Sequence, residues 1–326
     1  MNIIRFLTIT PLVLLGGYMN QSHAQNTIGC FSPPPGLISW WPGDNNPLDV
    51  AGTNNGVMLD GVTFTNAMVN DGFYFDGISN AVFVPDSTTL KLTNSLTIES
   101  WIYVIGLPDA TGSDFGLGLI LFRGDDRPGL DPYWLGVTAG GNVQFQVDDD
   151  VGNVDAVSGA VPTNRFVHVA GTLDGSSGQM TLYVDGQVVA TNVTTVRPFA
   201  DLDSSQNPGV GIGTYQSSAY RAHFHGIIDE LRLYSRALSQ SEIQQIFYAT
   251  GGKPELEIES IDMSHLRISW ISVTNRTYQM QTRTNLTSNW TDFGLPVLGT
   301  GAGTATTNEL SGSQGFYQLI LLPCSH

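Results

Sequence analysis

The chain has 326 residues, of which 13% are charged and 41% are hydrophobic, and its formal net charge is −16 at pH 7. This acidic balance argues against nucleic acid and anionic membrane surfaces as partners, because both carry the same sign of charge. The 37 glycines and the low share of charged residues are typical of short strands joined by tight turns.

The first 24 residues have the pattern of a secretory signal peptide. Arg5 supplies a positive charge, an apolar run from Phe6 to Leu15 follows, and small residues flank a cleavage point at Ser22-His23-Ala24. The apolar run is shorter than the roughly 20 residues that span a bilayer. We therefore expect no membrane span, a secreted or cell-surface protein, and a linker over residues 25–36.

The chain has two cysteines, Cys30 after the predicted signal and Cys324 near the end. In an oxidising compartment such a pair either forms a disulfide that ties the two ends together or stays as two separate thiols. Cysteine number alone leaves both possibilities open.

Between Leu37 and Tyr234, short apolar runs alternate with Gly, Asn-Gly and Asp-Gly turns. This pattern predicts an all-β sandwich or barrel. The predicted strands are Leu37–Trp41, Phe73–Phe75, Ala81–Val84, Leu96–Val104, Leu117–Phe122, Tyr133–Val137, Val143–Val147 and Val167–Leu173.

The clearest local signal is a β-hairpin. Two β-rich runs, Met180–Val184 and Gln187–Asn192, are joined by Asp185-Gly186. This dipeptide tolerates the positive φ angles that a two-residue hairpin turn requires, so we expect a tight turn there.

One short helix is predicted to close the first domain. Ser239 and Glu242 form a capping box, and the apolar residues after them recur at helical spacing. Gly251-Gly252 ends the helix, which gives a first domain over residues 37–252.

A second, smaller β-sandwich is predicted over residues 254–323. Pro254 follows the glycine pair and marks the expected domain boundary. Strand-like runs resume at Leu256–Ile261, Leu266–Trp270, Tyr278–Thr282, Trp290–Phe293 and Phe316–Leu322.

Five ordered segments carry a resemblance to a known family. They are Gly36–Asp44, Phe73–Gly77 with Ala81–Pro85, Leu96–Ile102, Phe166–Thr172 with Leu182–Gly186, and Gly226–Ser239. Together they resemble the laminin G-like jelly roll of the concanavalin A-like lectin and glucanase superfamily, over roughly residues 37–250. The resemblance implies two antiparallel sheets packed face to face. Residues 256–322 more faintly resemble a fibronectin type III-like module.

The resemblance also bears on the cysteines. Many relatives carry a cysteine near residues 252–254 that is able to pair with the N-terminal one. Pro254 occupies this neighbourhood here. The resemblance therefore leaves Cys324 as the candidate partner of Cys30.

The last predicted strand of the first domain contains a carboxylate in phase with core positions. Period-two alternation puts Asp229 on one face of this strand. The other members of that face are Ile227, Leu231 and Leu233. A carboxylate placed there must be paired, hydrogen-bonded, bound to a cation or displaced by a bulge.

The resemblance implies a structural Ca²⁺ at this position. In calcium-binding members of the superfamily, an acidic residue near the final strand joins another from the first strand and backbone carbonyls. Asp44 is the matching partner for Asp229. Ca²⁺ takes about six to eight oxygen ligands, so carbonyls and water would complete the shell. The alternative is a hydrogen-bonded carboxylate at the rim of the sheet.

The acidic residues do not form the pattern used in glycoside cleavage. Laminarinase-type members of the superfamily carry Glu-x-Asp-x-Glu on one strand face, because retaining cleavage needs two carboxyls about 5 Å apart. Here Glu99 stands alone, and the adjacent Asp229 and Glu230 are expected on opposite faces of a strand. The run Asp148-Asp149-Asp150 is expected in a solvated turn. We therefore predict no enzymatic activity, with a pair of acids from distant loops as the alternative.

Other polar residues are interpreted as structural. His168 lies in a strand pattern and is expected to pack there. His223 and His225 share a strand face, but a zinc site needs three or four ligands. Asp76 precedes Gly77 and is expected in a turn.

The loop from Arg127 to Trp134 is the candidate recognition loop, because it combines a rigid turn with two aromatic rings that suit stacking on a sugar. Tyr133 and Trp134 are nevertheless expected to begin a strand and to be buried. The ligand-binding residues therefore stay unassigned.

These observations predict a secreted, non-catalytic module that binds extracellular carbohydrate or protein, with a structural calcium ion. The alternatives are a polysaccharide-acting glycoside hydrolase and a structural component of a cell-surface assembly.

Overall fold

The computed structural model describes residues 32–111, 116–216, 222–252, 257–260, 265–273, 276–283, 285, 287–300, 303–309 and 316–322. The predicted signal peptide, both cysteines and the boundary at Pro254 lie outside these residues. Within them, no helix is long and apolar enough to cross a membrane.

The first sheet has eight antiparallel strands. They are β1 (Leu37–Trp41), β3 (Thr63–Asn66), β4 (Asp71–Asp76), β6 (Leu96–Gly106), β11 (Phe166–Leu173), β12 (Gln179–Val184), β13 (Gln187–Val193) and β15 (His225–Tyr234). Seven follow the order β13-β12-β11-β6-β15-β4-β3, and β1 pairs with β15.

The second sheet has seven strands. They are β2 (Val57–Leu59), β5 (Ala81–Pro85), β7 (Leu117–Gly124), β8 (Tyr133–Thr138), β9 (Asn142–Asp148), β10 (Val154–Ala160) and β14 (Gly209–Ile212). Their order is β10-β9-β8-β7-β14-β5-β2.

The core lies between the two sheets. Alternate residues of each strand face it, as Val143, Phe145 and Val147 of β9 show, and all three are fully buried. Ile98 and Ile102 of β6, in the first sheet, belong to the same core cluster. The predicted all-β fold, a jelly-roll sandwich of two antiparallel sheets, is confirmed.

Both local predictions are also confirmed. Asp185 and Gly186 join β12 to β13 with φ angles of 50° and 75°, the positive values that the tight turn requires. Helix α1 (Gln240–Ala249) begins after Ser239, whose side chain and that of Glu242 form the reciprocal capping box. The apolar face of α1 packs on the outer face of the first sheet, against Tyr183 and Tyr234.

Strand β15 occupies the centre of the first sheet and changes partner along its length. Residues 225–228 pair with β4, residues 231–234 pair with β1, and β6 pairs with both parts. A bulge separates Asp229 from Arg232, and Glu230 within it has a φ of 57°. The bulge therefore lies where β15 passes from one neighbour to the other.

The predicted alternation is wrong beyond Asp229, because the bulge adds a residue and reverses the phase. Leu231 and Leu233 belong to the core, whereas Asp229 lies on the outer face with Ile227. A Cβ added to Gly72 would be 3.0 Å from both side chains. The prediction that Asp229 and Glu230 point to opposite faces fails for the same reason, since Glu230 reaches Arg232 on the outer side.

Residues 257–322 contain two small sheets. The first consists of β16 (Glu257–Ser260), β17 (His265–Ile271) and β21 (Gly303–Glu309). The second consists of β18 (Thr277–Arg283), β19 (Thr291–Asp292), β20 (Val297–Leu298) and β22 (Phe316–Leu321). A separate cluster of Ile268, Trp270, Tyr278 and Met280 forms their core.

The capping box predicts a measurable contribution to stability. Ser239→Ala should lower the free energy of unfolding by about 1 kcal/mol, because the N–H of Glu242 loses its acceptor at the helix start. Gln240→Ala, an exposed change one residue later, is the matched control and should have little effect. Chemical denaturation of the three proteins tests this, and equal stabilities would contradict it.

Candidate functional site

The junction between β1, β4 and β15 brings the two predicted metal-binding carboxylates to one turn. Asp229 accepts a hydrogen bond of 2.9 Å from the backbone N–H of Val69. Asp44, which follows β1, accepts one of 3.2 Å from the N–H of Asp71. The two side chains therefore hold the same turn from two sides.

Asp229 is fully buried, and its Oδ1 has no hydrogen-bond partner among the described residues. Burial raises the pKa of this carboxyl well above its ordinary value, and the negative charge of Glu230 raises it further. An unsatisfied buried carboxylate oxygen is costly, so the site requires a proton, a water or a cation.

A buried ion network adjoins this junction. Arg232 lies between the carboxylates of Glu99 and Glu230, and Nη1 of Arg232 is 2.9 Å from Oε1 of Glu99. Its guanidinium also lies 4.2 Å from the ring centre of Trp40. Burial raises the pKa of Glu230 to about 7, whereas Arg232 and His168 outweigh burial at Glu99 and hold its pKa below the ordinary value.

His168 is packed within its strand, as the pattern predicts. It is fully buried, and its Nε2 lies 2.9 Å from Oε2 of Glu99. The sequence analysis treated Glu99 as solitary, because its partners on β11 and β15 are distant along the chain.

A second polar site lies at one end of the sandwich, where the loop after β7 meets residues 203–216. A cavity of about 190 Å³ opens there. It is lined by Phe122, Asp125, Arg127, Pro128, Gly129, Asp131 and Tyr215. We call it the loop-end pocket.

An ion pair fixes one wall of the loop-end pocket. Arg127 donates from Nε and Nη2 to the carboxylate of Asp125, over 2.7 to 3.0 Å. The backbone N–H of Asp203 donates to the same carboxylate. Phe122 and Tyr215 form another wall, with their rings edge to face and 4.6 Å apart.

Asp125 pairs with Arg127, whereas Asp131 has no cation partner in the described part of the chain. Among the described residues, its carboxylate makes no hydrogen bond or ion pair. Burial raises the pKa of Asp131 to about 8, and the negative charges of Asp148 and Asp125 add to that effect. The carboxyl is therefore largely protonated at pH 7, and it can donate as well as accept a hydrogen bond.

Asp148 was expected in a solvated turn, and this prediction is wrong. The residue ends strand β9 and is 1% exposed, because the strand extends further than the apolar run suggested. Burial raises the pKa of Asp148 to about 6. Asp149, which follows it, forms the turn, and its carboxylate accepts from the N–H of Asn153.

The expected burial of the recognition-loop aromatics is confirmed. Tyr133 and Trp134 lie in β8 and are 0% and 4% exposed. Neither ring is open to a ligand, so Tyr215 provides the aromatic wall of the pocket instead. The sequence analysis missed Tyr215, because it lies some 80 residues from the loop that it faces.

The sequence analysis interpreted three further polar residues, Asp76, His223 and His225, as structural. The carboxylate of Asp76 accepts from the backbone N–H groups of Ile78 and Ser79, as expected for a turn residue. In the described part of the chain, no group of three or more His, Cys, Asp or Glu side chains has the spacing to hold a metal ion. This includes the neighbourhood of His223 and His225.

Comparison with known proteins identifies the fold independently. A laminin G family model, described as the concanavalin A-like lectin/glucanases superfamily, matches residues 76–244. No curated protein matches the chain.

Several solved structures have a similar fold. The binding domain of botulinum neurotoxin serotype G has a TM-score of 0.51 at 10% identity, and the match covers 75% of this chain and 56% of that one. The binding domain of Paraclostridial Mosquitocidal Protein 1 has a TM-score of 0.50 at 16% identity, covering 79% and 63%. The binding domain of botulinum neurotoxin DC, in complex with SialylT, has a TM-score of 0.50 at 14% identity, covering 75% and 56%. The chain thus spans less than two thirds of each of these domains.

The buried ion network predicts a large effect from one substitution. Arg232→Met should lower the free energy of unfolding by roughly 3–5 kcal/mol, because it leaves Glu99 and Glu230 buried without their cation. Adding Glu99→Gln to this variant should recover part of the loss.

Lys91→Met is the matched control, since Lys91 pairs with Asp201 at 2.7 Å on the surface. Solvent screens that pair, so its loss should be far smaller. Urea denaturation measures all three variants, and equal losses for Arg232→Met and Lys91→Met would contradict the interpretation.

Proposed function

The chain belongs to the concanavalin A-like lectin/glucanases superfamily, and on that premise we propose that it is a secreted, non-catalytic module that binds extracellular carbohydrate in the loop-end pocket. The observation that carries the proposal is the chemistry of that pocket. It combines an aromatic wall, Tyr215 with Phe122, and the carboxyl of Asp131, which has no hydrogen-bond or ion-pair partner among the described residues.

Each part of the pocket suits a sugar. Aromatic rings pack against the apolar face of a pyranose or furanose, and carboxyl and guanidinium groups bond its hydroxyls. Arg127 is held rigidly by Asp125, so it loses little freedom when a ligand binds. The similar solved structures support this proposal, because all three are binding domains and one is in complex with SialylT.

The predicted signal peptide at residues 1–24 supports secretion, and the strong negative charge supports a soluble glycan or protein surface over nucleic acid. The net charge of −16 and the negative charge of Asp148, which acts on Asp131 in the pocket, also disfavour anionic sugars. We therefore expect a neutral carbohydrate.

A glycoside hydrolase is the second candidate, and one observation favours it. Burial raises the pKa values of Asp131 and Asp148 to about 8 and about 6, and the charge of Asp148 adds to the shift at Asp131. Two carboxyls with raised and separated pKa values are the pattern of an acid and base pair. Release of reducing sugar from polysaccharides, abolished by Asp131→Asn, would favour the enzyme over the binding module.

We also propose that Asp44 and Asp229 hold a structural Ca²⁺. The unsatisfied Oδ1 of Asp229 and the nearby negative charge of Asp44 fit a hard cation with oxygen ligands. Backbone carbonyls and water would complete the shell. When bound, the ion would neutralise the buried carboxylate and tie the end of β1 to the bulge of β15.

Carbohydrate binding predicts a selective loss in two variants. On a glycan array and by calorimetry, Asp131→Ala and Tyr215→Ala should each lower the affinity for the glycan that the wild type binds by about tenfold, the effect of losing one polar or one aromatic contact. Asp174→Ala, which makes the same change in an exposed turn, is the control and should bind normally.

Loss of folding stability would not explain weaker binding by the Asp131 variant. The folded pKa of Asp131 is raised, so ionising this carboxyl destabilises the fold as pH rises from its unfolded value towards about 8. Asp131→Ala removes this ionisable group and should therefore be at least as stable as the wild type at pH 7 to 8. Binding that is unchanged in Asp131→Ala, or no glycan bound by the wild type, would contradict the proposal.

Calcium binding predicts a shift in melting temperature. The melting temperature of the wild type should rise with added Ca²⁺ and fall with a chelator, because an ion that binds only the folded state stabilises it. Asp229→Asn should abolish the shift, whereas Asp149→Asn should retain it. A wild-type melting curve that chelation leaves unchanged would contradict this proposal.

A further inference from the structure

Strand β2 forms one end of the second sheet and presents an open, apolar edge. It pairs with β5 on one side without a bulge, and no other described strand pairs with it. Its residues Val57, Met58 and Leu59 are 52%, 41% and 42% exposed. An edge strand has backbone N–H and C=O groups without ladder partners. The edge therefore offers backbone hydrogen bonds and apolar side chains together.

The apolar surface continues at both ends of β2. The carbonyl of Pro47 accepts from the N–H of the residue before β2 over 2.8 Å, which places the exposed Leu48 beside the start of the strand. At the other end, Nδ2 of Asn80 donates to the carbonyl of Asp60 over 2.6 Å. This bond brings the turn that contains Ile78, itself 72% exposed, beside the end of the strand. Exposed apolar side chains that lie close together in this way are typical of an interaction surface.

The other terminal strands of the two large sheets are protected. β10 and β13 lie against each other, since Nδ2 of Asn192 donates to the carboxylate of Asp155 over 2.6 Å. A Cβ added to Gly159 of β10 would be 2.8 Å from Val189 of β13. β3, at the remaining end, has the polar sequence Thr-Phe-Thr-Asn. Proteins normally protect an edge with Lys, Pro or a bulge, and β2 has none of these.

The surroundings of β2 are acidic. Residues 37–90 include six aspartates and no lysine, arginine or histidine. Asp86 is paired with Arg123, and the other five make no ion pair among the described residues. Of these five, Asp60 follows β2 directly and Asp76 bonds the turn that adjoins it, so both lie outside the calcium site proposed above. A segment that docks on this edge therefore meets a negative potential, which attracts basic chains and repels acidic ones.

We propose that the edge of β2 binds an extended, basic segment of another protein, which adds to the second sheet as a further strand. Backbone hydrogen bonds hold an added strand, and its alternate side chains provide specificity. Apolar residues of the segment would cover Val57 and Leu59, and its Lys or Arg residues would face Asp60 and Asp76. A second copy of this chain is disfavoured, because its own acidic surface would meet this one.

This surface is separate from the carbohydrate-binding pocket proposed above. In the second sheet, β14 and β5 lie between β2 and β7, and the loop-end pocket follows β7. The protein-binding edge therefore does not depend on the function proposed for the pocket. Binding of a basic segment should persist in Asp131→Ala.

The test uses a synthetic peptide as the probe. It is a fluorescent octapeptide of alternating Lys and Val, N-methylated at every second residue, so that one edge still pairs and self-assembly is blocked. Fluorescence anisotropy measures its binding to the intact protein. A Glu-Val octapeptide with the same methylation should bind at least about tenfold more weakly, because its charge is repelled. The Lys-Val peptide methylated at every residue should not bind, because it cannot donate backbone hydrogen bonds.

Two sets of variants locate the site. Val57→Thr/Leu59→Thr removes apolar contacts but places β-branched residues in the strand, and it should weaken binding by about tenfold. Val193→Thr, at an exposed valine of β13, is its matched control. Asp60→Asn should weaken binding by about threefold, because a charge is lost while asparagine tolerates the φ of 53°. Asp150→Asn, at an exposed position after β9, is the control for that change. Melting temperatures equal to that of the wild type would show that each variant is folded.

Hydrogen exchange distinguishes strand addition from non-specific attraction. The amides of residues 57–60 should exchange more slowly when the Lys-Val peptide is bound, with the controls unaffected. Failure of the Lys-Val peptide to bind would overturn the proposal, as would equal binding of the Glu-Val or fully methylated peptide. Protection of all the amides of residues 57–60 in the free protein would also overturn it, because the edge would then already be occupied by the chain itself or by a second copy.

Discussion

The structure depends on charge compensation at one buried arginine. Among the described residues, strand β15 pairs with β1, β4 and β6. Its bulge lies where its pairing changes from β4 to β1. Arg232 follows the bulge and provides the positive charge between Glu99 and Glu230. Burying two carboxylates without that cation would cost several kcal/mol, so the register of the central strand and the arginine are linked.

The features that were predictable from the sequence are those encoded locally. Asp185-Gly186 requires a tight turn whatever surrounds it, and Ser239 with Glu242 satisfies the first turn of a helix without outside help. Alternation likewise predicted the strands, and the order of motifs predicted their sandwich. These signals lie within a few residues of one another, so a single sequence is sufficient to detect them.

The errors concern residues whose environment comes from elsewhere in the chain. Asp229 was assigned to the wrong face, because a bulge cannot be recognised from alternation when the extra residue, Glu230, is not glycine. Glu99 and His168 meet only because β6 and β11 are neighbours in the sheet. The pocket joins Arg127 to Tyr215 across a long sequence separation, and no local pattern indicates that contact. Asp148 was missed because strand β9 continues into the acidic run.

The two sheets therefore have different roles in this account. The first sheet contains the buried ion network and the carboxylates of the junction, which concern stability. The loop after β7 of the second sheet forms the loop-end pocket, which we propose for recognition. The most direct test of this division is hydrogen exchange measured by mass spectrometry with and without a bound neutral oligosaccharide. The account predicts slower exchange in residues 122–131, which line the pocket, with the junction at residues 67–72 unchanged. Protection confined to that junction or to residues 257–322 would contradict it.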